Sequence, residues 1–242
     1  MLSCRLHDVA ALDDATRDQM YALLARHYAA TDRQRFEQDL AAKQWVLLLT
    51  DAQAQLQGFS TLHVYAVTHQ DRDCRIVYSG DTVIDRAHWG EQGLAFNWLR
   101  LAGQLRSQAP QARWYWFLIS KGHRTYRYLP AFARRFYPHW QHPTPAFEAS
   151  LLHRLAQDRF GAHYQAEQGI VRFPQSLGHL QDDLAKVSPR EQHHPAVRFF
   201  LERNPGYAQG HELCCLCELA PDNLRPLAQR LLHKGANTPC QV

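Results

Sequence analysis

Apolar residues recur along this chain in two rhythms, one near 3.6 residues and one that alternates or runs unbroken, and together they predict helices interleaved with strands. From Leu12 to Tyr28, Met20, Leu23, Leu24 and His27 recur at helical spacing. Asp13 and Asp14 stand at its start, where carboxylates suit the positive end of a helix. Thr31 followed by Gln34 is a capping-box pattern, opening a second helix through Phe36 and Leu40 to about Lys43. Trp45 to Thr50, WVLLLT, is short and continuously apolar, as a buried strand would be. Asp51 to Gln55 is a polar turn, and Leu56 to Thr68 returns as a hairpin partner, with Gly58 marking a bulge or a close contact.

The stretch from Cys74 to Pro138 reads strand, turn, helix, strand, helix. Cys74 to Asp85 alternates, with Ile76, Tyr78, Thr82 and Ile84 on one face and Val77, Ser79, Asp81 and Val83 on the other. The turn RAHWGEQG leads into a helix whose Leu94, Trp98, Leu101 and Leu105 form one stripe. Trp114 to Ser120 is apolar on both faces, as expected of a central strand covered by helices. The following helical piece is basic and aromatic, with Pro130 predicting a kink or restart near Leu129. Beyond Pro138 come a loop to Pro145, a helix over Ala146 to Arg159 and a short strand over Gly169 to Phe173. Gln175 to Leu201 predicts two helices parted by Ser188-Pro189. Asn204-Pro205-Gly206 is a turn, Glu212 to Leu219 a strand, and Pro221 opens a closing helix to His233.

Composition narrows the class. The 242 residues are 45% hydrophobic and 21% charged, which is ordinary for a globular protein able to bury a full core. No window approaches eighteen apolar residues, which predicts no integral membrane segment, and Met1 to Ala11 lacks the basic start and apolar run of a signal peptide. The six cysteines show no CxxC pairing, so reduced thiols in a cytoplasmic setting are the simplest reading. Cys215 and Cys217 would share one face of a strand and Cys214 the other, which predicts small buried thiols and no metal. Lys121, Arg124, Arg127, Arg134 and Arg135 interleave with Tyr126, Tyr128, Phe132 and Phe136. Such a run could dock an acidic acyl carrier protein or anionic lipid head groups at the membrane periphery, or be a solvated helix face. No helix-turn-helix, zinc-finger or RNA-binding signature is present, so no nucleic acid is expected.

Three segments carry a family resemblance: QLQGFSTL (Gln55 to Leu62), TVIDRAHWGEQGLAFNWLR (Thr82 to Arg100) and WFLISKGHRTYRYLPAFARRFYP (Trp116 to Pro138). In this order they resemble the hairpin strand, the pyrophosphate loop with its helix, and the fifth strand with its following helix in GNAT-fold acyltransferases. The resemblance spans roughly Leu12 to Pro138, with Ile170 to Phe173 and Glu212 to Leu219 as the last strands. It implies an α/β fold with a mixed, mainly antiparallel sheet, helices on both faces and an enlarged C-terminal part. Residues 1–242 would then be a single domain with its core at 12–138, and 139–242 would add helical insertions, the last strands and the closing helix.

The resemblance also implies transfer of an acyl group from an acyl-CoA or acyl-carrier-protein thioester to an amine or hydroxyl on a small-molecule acceptor, without a metal. The alternative is a non-catalytic GNAT-like binding module with a degenerate donor loop. Trp89, Gly90, Glu91, Gln92, Gly93 and Leu94 would form the phosphate cradle, because backbone N–H groups ending at a helix N-terminus attract anions. Their spacing departs from the family pattern, and Glu91 adds a negative charge there. Asp81 and His63 are the candidate bases, Tyr126 and Tyr128 the candidate acids. Ser120, Lys121 and His123, at the end of the strand, are the candidate donor contacts.

Overall fold

The computed structural model describes residues 2–238. The first half of the chain runs β1 (Ser3–Asp8), α1 (Asp14–His27), β2 (Tyr28–Ala29), α2 (Arg33–Ala41), β3 (Trp45–Thr50), β4 (Leu56–His69) and β5 (Arg72–Ile84). Next come α3 (Gly93–Gln108), β6 (Arg113–Ser120), α4 (His123–Tyr126), α5 (Tyr128–Phe132) and α6 (Ala146–Phe160). The remainder is β7 (Tyr164–Gln165), β8 (Ile170–Val171), β9 (His179–Leu180), α7 (Asp182–Ala185), α8 (Pro189–Gln192), α9 (Pro195–Arg203), β10 (Glu212–Glu218) and α10 (Pro226–Asn237).

Eight strands form one sheet in the order β1-β3-β4-β5-β6-β10-β8-β7, while β2 and β9 pair separately. Within the large sheet β5 and β6 are parallel and the other neighbours antiparallel. Alternation along each strand divides the core in two. Leu47, Leu49, Val77, Trp114, Trp116, Cys215 and Cys217 pack with α3, α5 and α10 on one face. Val46, Leu48 and Phe59 meet α1 and α2 on the other, where Tyr78, Tyr115, Phe117 and Cys214 meet α6. Helices therefore cover both faces, and β6 is apolar on both sides because it lies near the middle.

Several expectations shift. The first strand, β1, was hidden by its alternating polar residues, and it pairs with β3 at the sheet edge. The second helix is capped by Asp32, whose side chain accepts from Arg35 N at 2.8 Å, so the Thr31–Gln34 box does not form. The closing helix starts at Pro226 rather than Pro221. The polar 175–201 stretch holds three short helices instead of two, with a full capping box at Ser188 and Glu191.

The most consequential shift is in β5. Ser60 pairs with Thr82 and Leu62 with Ser79, so Gly80 and Asp81 together face the single residue Thr61. This bulge reverses the alternation after Ser79. Asp81 and Val83 thus join Tyr78 on the α1–α2–α6 face, while Thr82 moves to the Ser79 side, against the simple two-residue rhythm.

Candidate active site

Pairing of β5 with β6 begins at Cys74 with Arg113 and ends at Ser79 with Leu118. Beyond that point β5 follows β4 as far as Ile84, while β6 follows β10 to Ser120 opposite Leu213. The strands part, and a wedge opens through the sheet. Gly80 sits at its apex. A Cβ there would lie 2.5 Å from Thr61 Oγ1 and 2.7 Å from Lys43 Cε, so any other residue would have to displace both side chains.

On the α3 side the wedge is a narrow slot of about 40 Å³, walled by Leu94, Ala95, Trp98, Trp116, Tyr128 and Phe132. Trp98 and Trp116 in its wall both donate to Ser79 Oγ, at 3.1 and 2.9 Å, and Ser60 and Thr82 hydroxyls lie 2.8 Å apart. The first turn of α3 contributes Leu94 and Ala95 to this wall. N–H groups in a first helical turn have no partner within the helix and carry the positive end of its dipole. The loop leading there turns at Gly90, whose φ is +99°, and Gln92 Nε2 donates to Gly90 O at 3.0 Å. Trp89 is anchored by Nε1 donating to Ile84 O, and its exposed ring lies 5.6 Å from the Arg86 guanidinium and 4.6 Å from that of Arg124.

This loop is braced from far along the chain. Arg86 pairs with Asp183, Arg124 donates to Leu184 O at 2.9 Å, and Arg26 pairs with Asp85 at 3.0 Å. Glu191 reaches His123 at 3.2 Å and Arg124 at 3.7 Å. Two more cations of the basic run are engaged internally: Arg135 pairs with Asp222, and Arg134 donates to the Asp222 carbonyl.

On the opposite face lies a cavity of about 610 Å³, between α1–α2 and the end of α6. Gly80, Thr82, Ile119 and Thr125 line both the slot and this cavity, so the two meet at the wedge. The cavity is charged. Asp81, Lys121, Glu212 and Tyr28 line it, with Lys121 Nζ 3.5 Å from Glu212 and 5.4 Å above the Tyr28 ring. Burial, followed by the nearby Asp39 carboxylate, raises the Asp81 pKa above the ordinary carboxylate value; Lys121 and Lys43 offset this only partly. Burial raises Glu212 as well, and pushes Tyr28 up to about 12. Burial disfavours the Lys121 charge, yet Glu212 and Asp81 outweigh it and hold this amine above its usual pKa. Lys43, its side chain fully buried, pairs with Asp39 at 2.6 Å.

The sequence candidates separate in space. Asp81 lines the large cavity, and Tyr128 lines the slot against Phe132. Lys121 faces the large cavity and not the slot. Tyr126 is fully buried among Phe136, Phe199 and Phe200, donates to Pro138 O at 2.8 Å, and lines neither space. His63 pairs across the ladder with Tyr78, stacks near Tyr65, and lines neither space. Burial, helped by Arg159 and Lys43, lowers its pKa. Ser120 is fully buried, and His123 is held by Glu191 with its pKa lowered by burial; neither reaches the slot. Thr125, Asp39, Arg159 and Glu212 were not singled out from the sequence. Only Glu212, a charge opening an otherwise apolar strand, carried a readable signal.

No family model matches the chain, and no curated protein matches it. Solved structures match in part. A conserved protein of unknown function from Enterococcus faecalis V583, described as a probable N-acyltransferase, shares 15% identity over 55% of this chain, with a TM-score of 0.41. The match spans only 33% of that protein's length. The Escherichia coli GNAT family N-acetyltransferase YhbS, solved in complex with CoA, shares 16% identity over 55% of this chain and 69% of its own, with a TM-score of 0.36. Arabidopsis thaliana NAA60, solved with a bisubstrate analogue, shares 12% identity over 55% and 86%, with a TM-score of 0.38. The described residues form a mixed, mainly antiparallel sheet with helices on both faces and a parallel pair that parts at mid-sheet. Among the described residues no helix is long and apolar enough to cross a membrane, and no three His, Cys, Asp or Glu side chains are grouped to hold a metal ion.

Proposed function

We propose that the protein transfers an acyl group from acyl-CoA to an amine. One observation carries this reading: the parted strands join a slot beginning at a helix N-terminus to a separate charged cavity on the other face. A donor and an acceptor can then approach one carbon from opposite sides, which is the positioning that aminolysis requires. The loop from Trp89 to Leu94 and the first turn of α3 would hold the donor's phosphates. Past Ser79 the edge of β5 facing β6 has no ladder partner, so its backbone N–H groups are available to polarise the thioester carbonyl. Asp81 would take the amine's proton, its raised pKa bringing it nearer to neutrality as a base. Tyr128 on the slot wall, or Thr125 where slot and cavity meet, would return a proton to the departing thiolate. The donor is read as CoA and not a carrier protein because Lys121, Arg124, Arg134 and Arg135, four of the five cations that would greet an acidic carrier, are already engaged.

Isothermal titration with acetyl-CoA, CoA and a long-chain acyl-CoA tests the reading. Ala95 is buried in the slot wall, and Ala95→Phe would fill the slot. Saturable binding to the wild type, weakened at least about tenfold in a folded Ala95→Phe, is expected. No binding of any of the three would leave the non-catalytic module as the better account.

A further inference from the structure

The large cavity carries charge that a simple amine would not use. Two of its neighbouring cations are already matched, Lys43 by Asp39 and Lys121 by Glu212. Arg159 is not. Its guanidinium carbon lies 3.7 Å from the centroid of the Tyr78 ring, and among the described residues no carboxylate is within 4.0 Å of it. Arg35 at the rim is likewise without an ion-pair partner among the described residues. A guanidinium carries five N–H donors, so one that lies on a tyrosine ring and bonds its hydroxyl still has donors left to match an anion's paired oxygens. Asp81 is the complementary case, a carboxylate with no cation within 4.0 Å among the described residues. One volume thus contains an unmatched carboxylate and an unmatched guanidinium, and at about 610 Å³ it accommodates a small molecule touching both.

We propose that the acceptor is a primary amine that itself bears an anionic group, a carboxylate or a phosphate. The amine meets Asp81 and the anion meets Arg159, with Arg35 strengthening the field at the mouth. The inference rests on the acyl-transfer reading for the role of the cavity, and it names the class of molecule that fills it. An amine of equal size that lacks the anion leaves the Arg159 fork facing empty solvent, and forgoes a charge-assisted, two-pronged contact.

Calorimetric titration of the donor-free protein with L-phenylalanine against phenethylamine, and with O-phosphoethanolamine against ethanolamine, tests this. In at least one pair the anionic member should bind at least about tenfold more tightly. Arg159→Met should abolish that preference, Arg159→Lys should retain part of it, and both should keep the wild-type circular dichroism spectrum. Preference confined to the first pair identifies a carboxylate as the anion, and confined to the second a phosphate. Equal binding within both pairs, no binding by any of the four, or a preference surviving Arg159→Met overturns the proposal. Failure of acetyl-CoA to bind strikes the acyl-transfer reading separately, because no donor is present in these amine titrations.

Discussion

The two helices behind the slot touch through glycine, and this contact yields a prediction with a computable size. A Cβ at Gly103 of α3 would lie 1.8 Å from Leu232 O, and one at Gly235 of α10 would lie 1.8 Å from Arg100 O. Ordinary contact begins near 3.4 Å, so either methyl would force the helices apart by roughly 1.6 Å. Overpacking of this kind costs about 1–3 kcal/mol, while replacing a helical glycine with alanine returns roughly 0.5–1 kcal/mol. Gly103→Ala and Gly235→Ala should therefore each destabilise by about 1–2 kcal/mol, or roughly 2–8 °C in Tm for a chain of this size. Because one displacement of the helices makes room for both methyls, the double variant should lose less than the two single losses combined, by about 1 kcal/mol. Urea denaturation followed by tryptophan fluorescence measures all three, with Trp98 on α3 as a local reporter. A single variant more stable than the wild type would show that the helices do not meet at these backbones. Strict additivity, within about 0.3–0.5 kcal/mol, would show that the two contacts yield independently.

Two titrations complete the set. Asp81→Asn should lower the aminolysis rate by about 10²–10⁴-fold with acetyl-CoA affinity kept, and should remove the limb on which the wild-type rate rises with pH through the raised Asp81 pKa. Burial makes the Asp81 charge unfavourable above the unfolded pKa, so Asn should be at least as stable as Asp at pH 7, and a less stable variant would contradict the assignment. Glu191, held by the Ser188 hydroxyl and backbone N–H and by His123, has its pKa depressed to about 2. Its contribution is present above the ordinary value of 4.5 and disappears as pH falls through about 2. The stability difference between wild type and Glu191→Gln should be constant near neutrality and close across that acid window in denaturation curves.

Much of the scaffold was legible because its periodicities are local. WVLLLT became β3 without a shifted boundary, and the stripe of Leu94, Trp98, Leu101 and Leu105 became the buried face of α3. The stretch from α7 to α9 was harder, since its helices are only four to nine residues long and are fixed by distant partners such as Tyr207 bonding Ala185 O. The sequence offered candidate residue types for a site but not their arrangement. Asp81 was singled out as a carboxylate among apolar neighbours, yet its side followed from the bulge, which depends on β4 and has no one-strand signature. Tyr126 and Tyr128 look equivalent in the sequence. Only packing decides that one bonds Pro138 O in the core and the other walls the slot.

The bracing of the loop before α3 has a mechanical consequence. Asp183, Leu184 and Glu191 hold Arg86, Arg124 and His123, so a single short run of residues presses on the loop before α3 and on α4, the helix that follows the parting strand. Cleavage of the backbone within that run would slacken the walls of the slot and of the large cavity together.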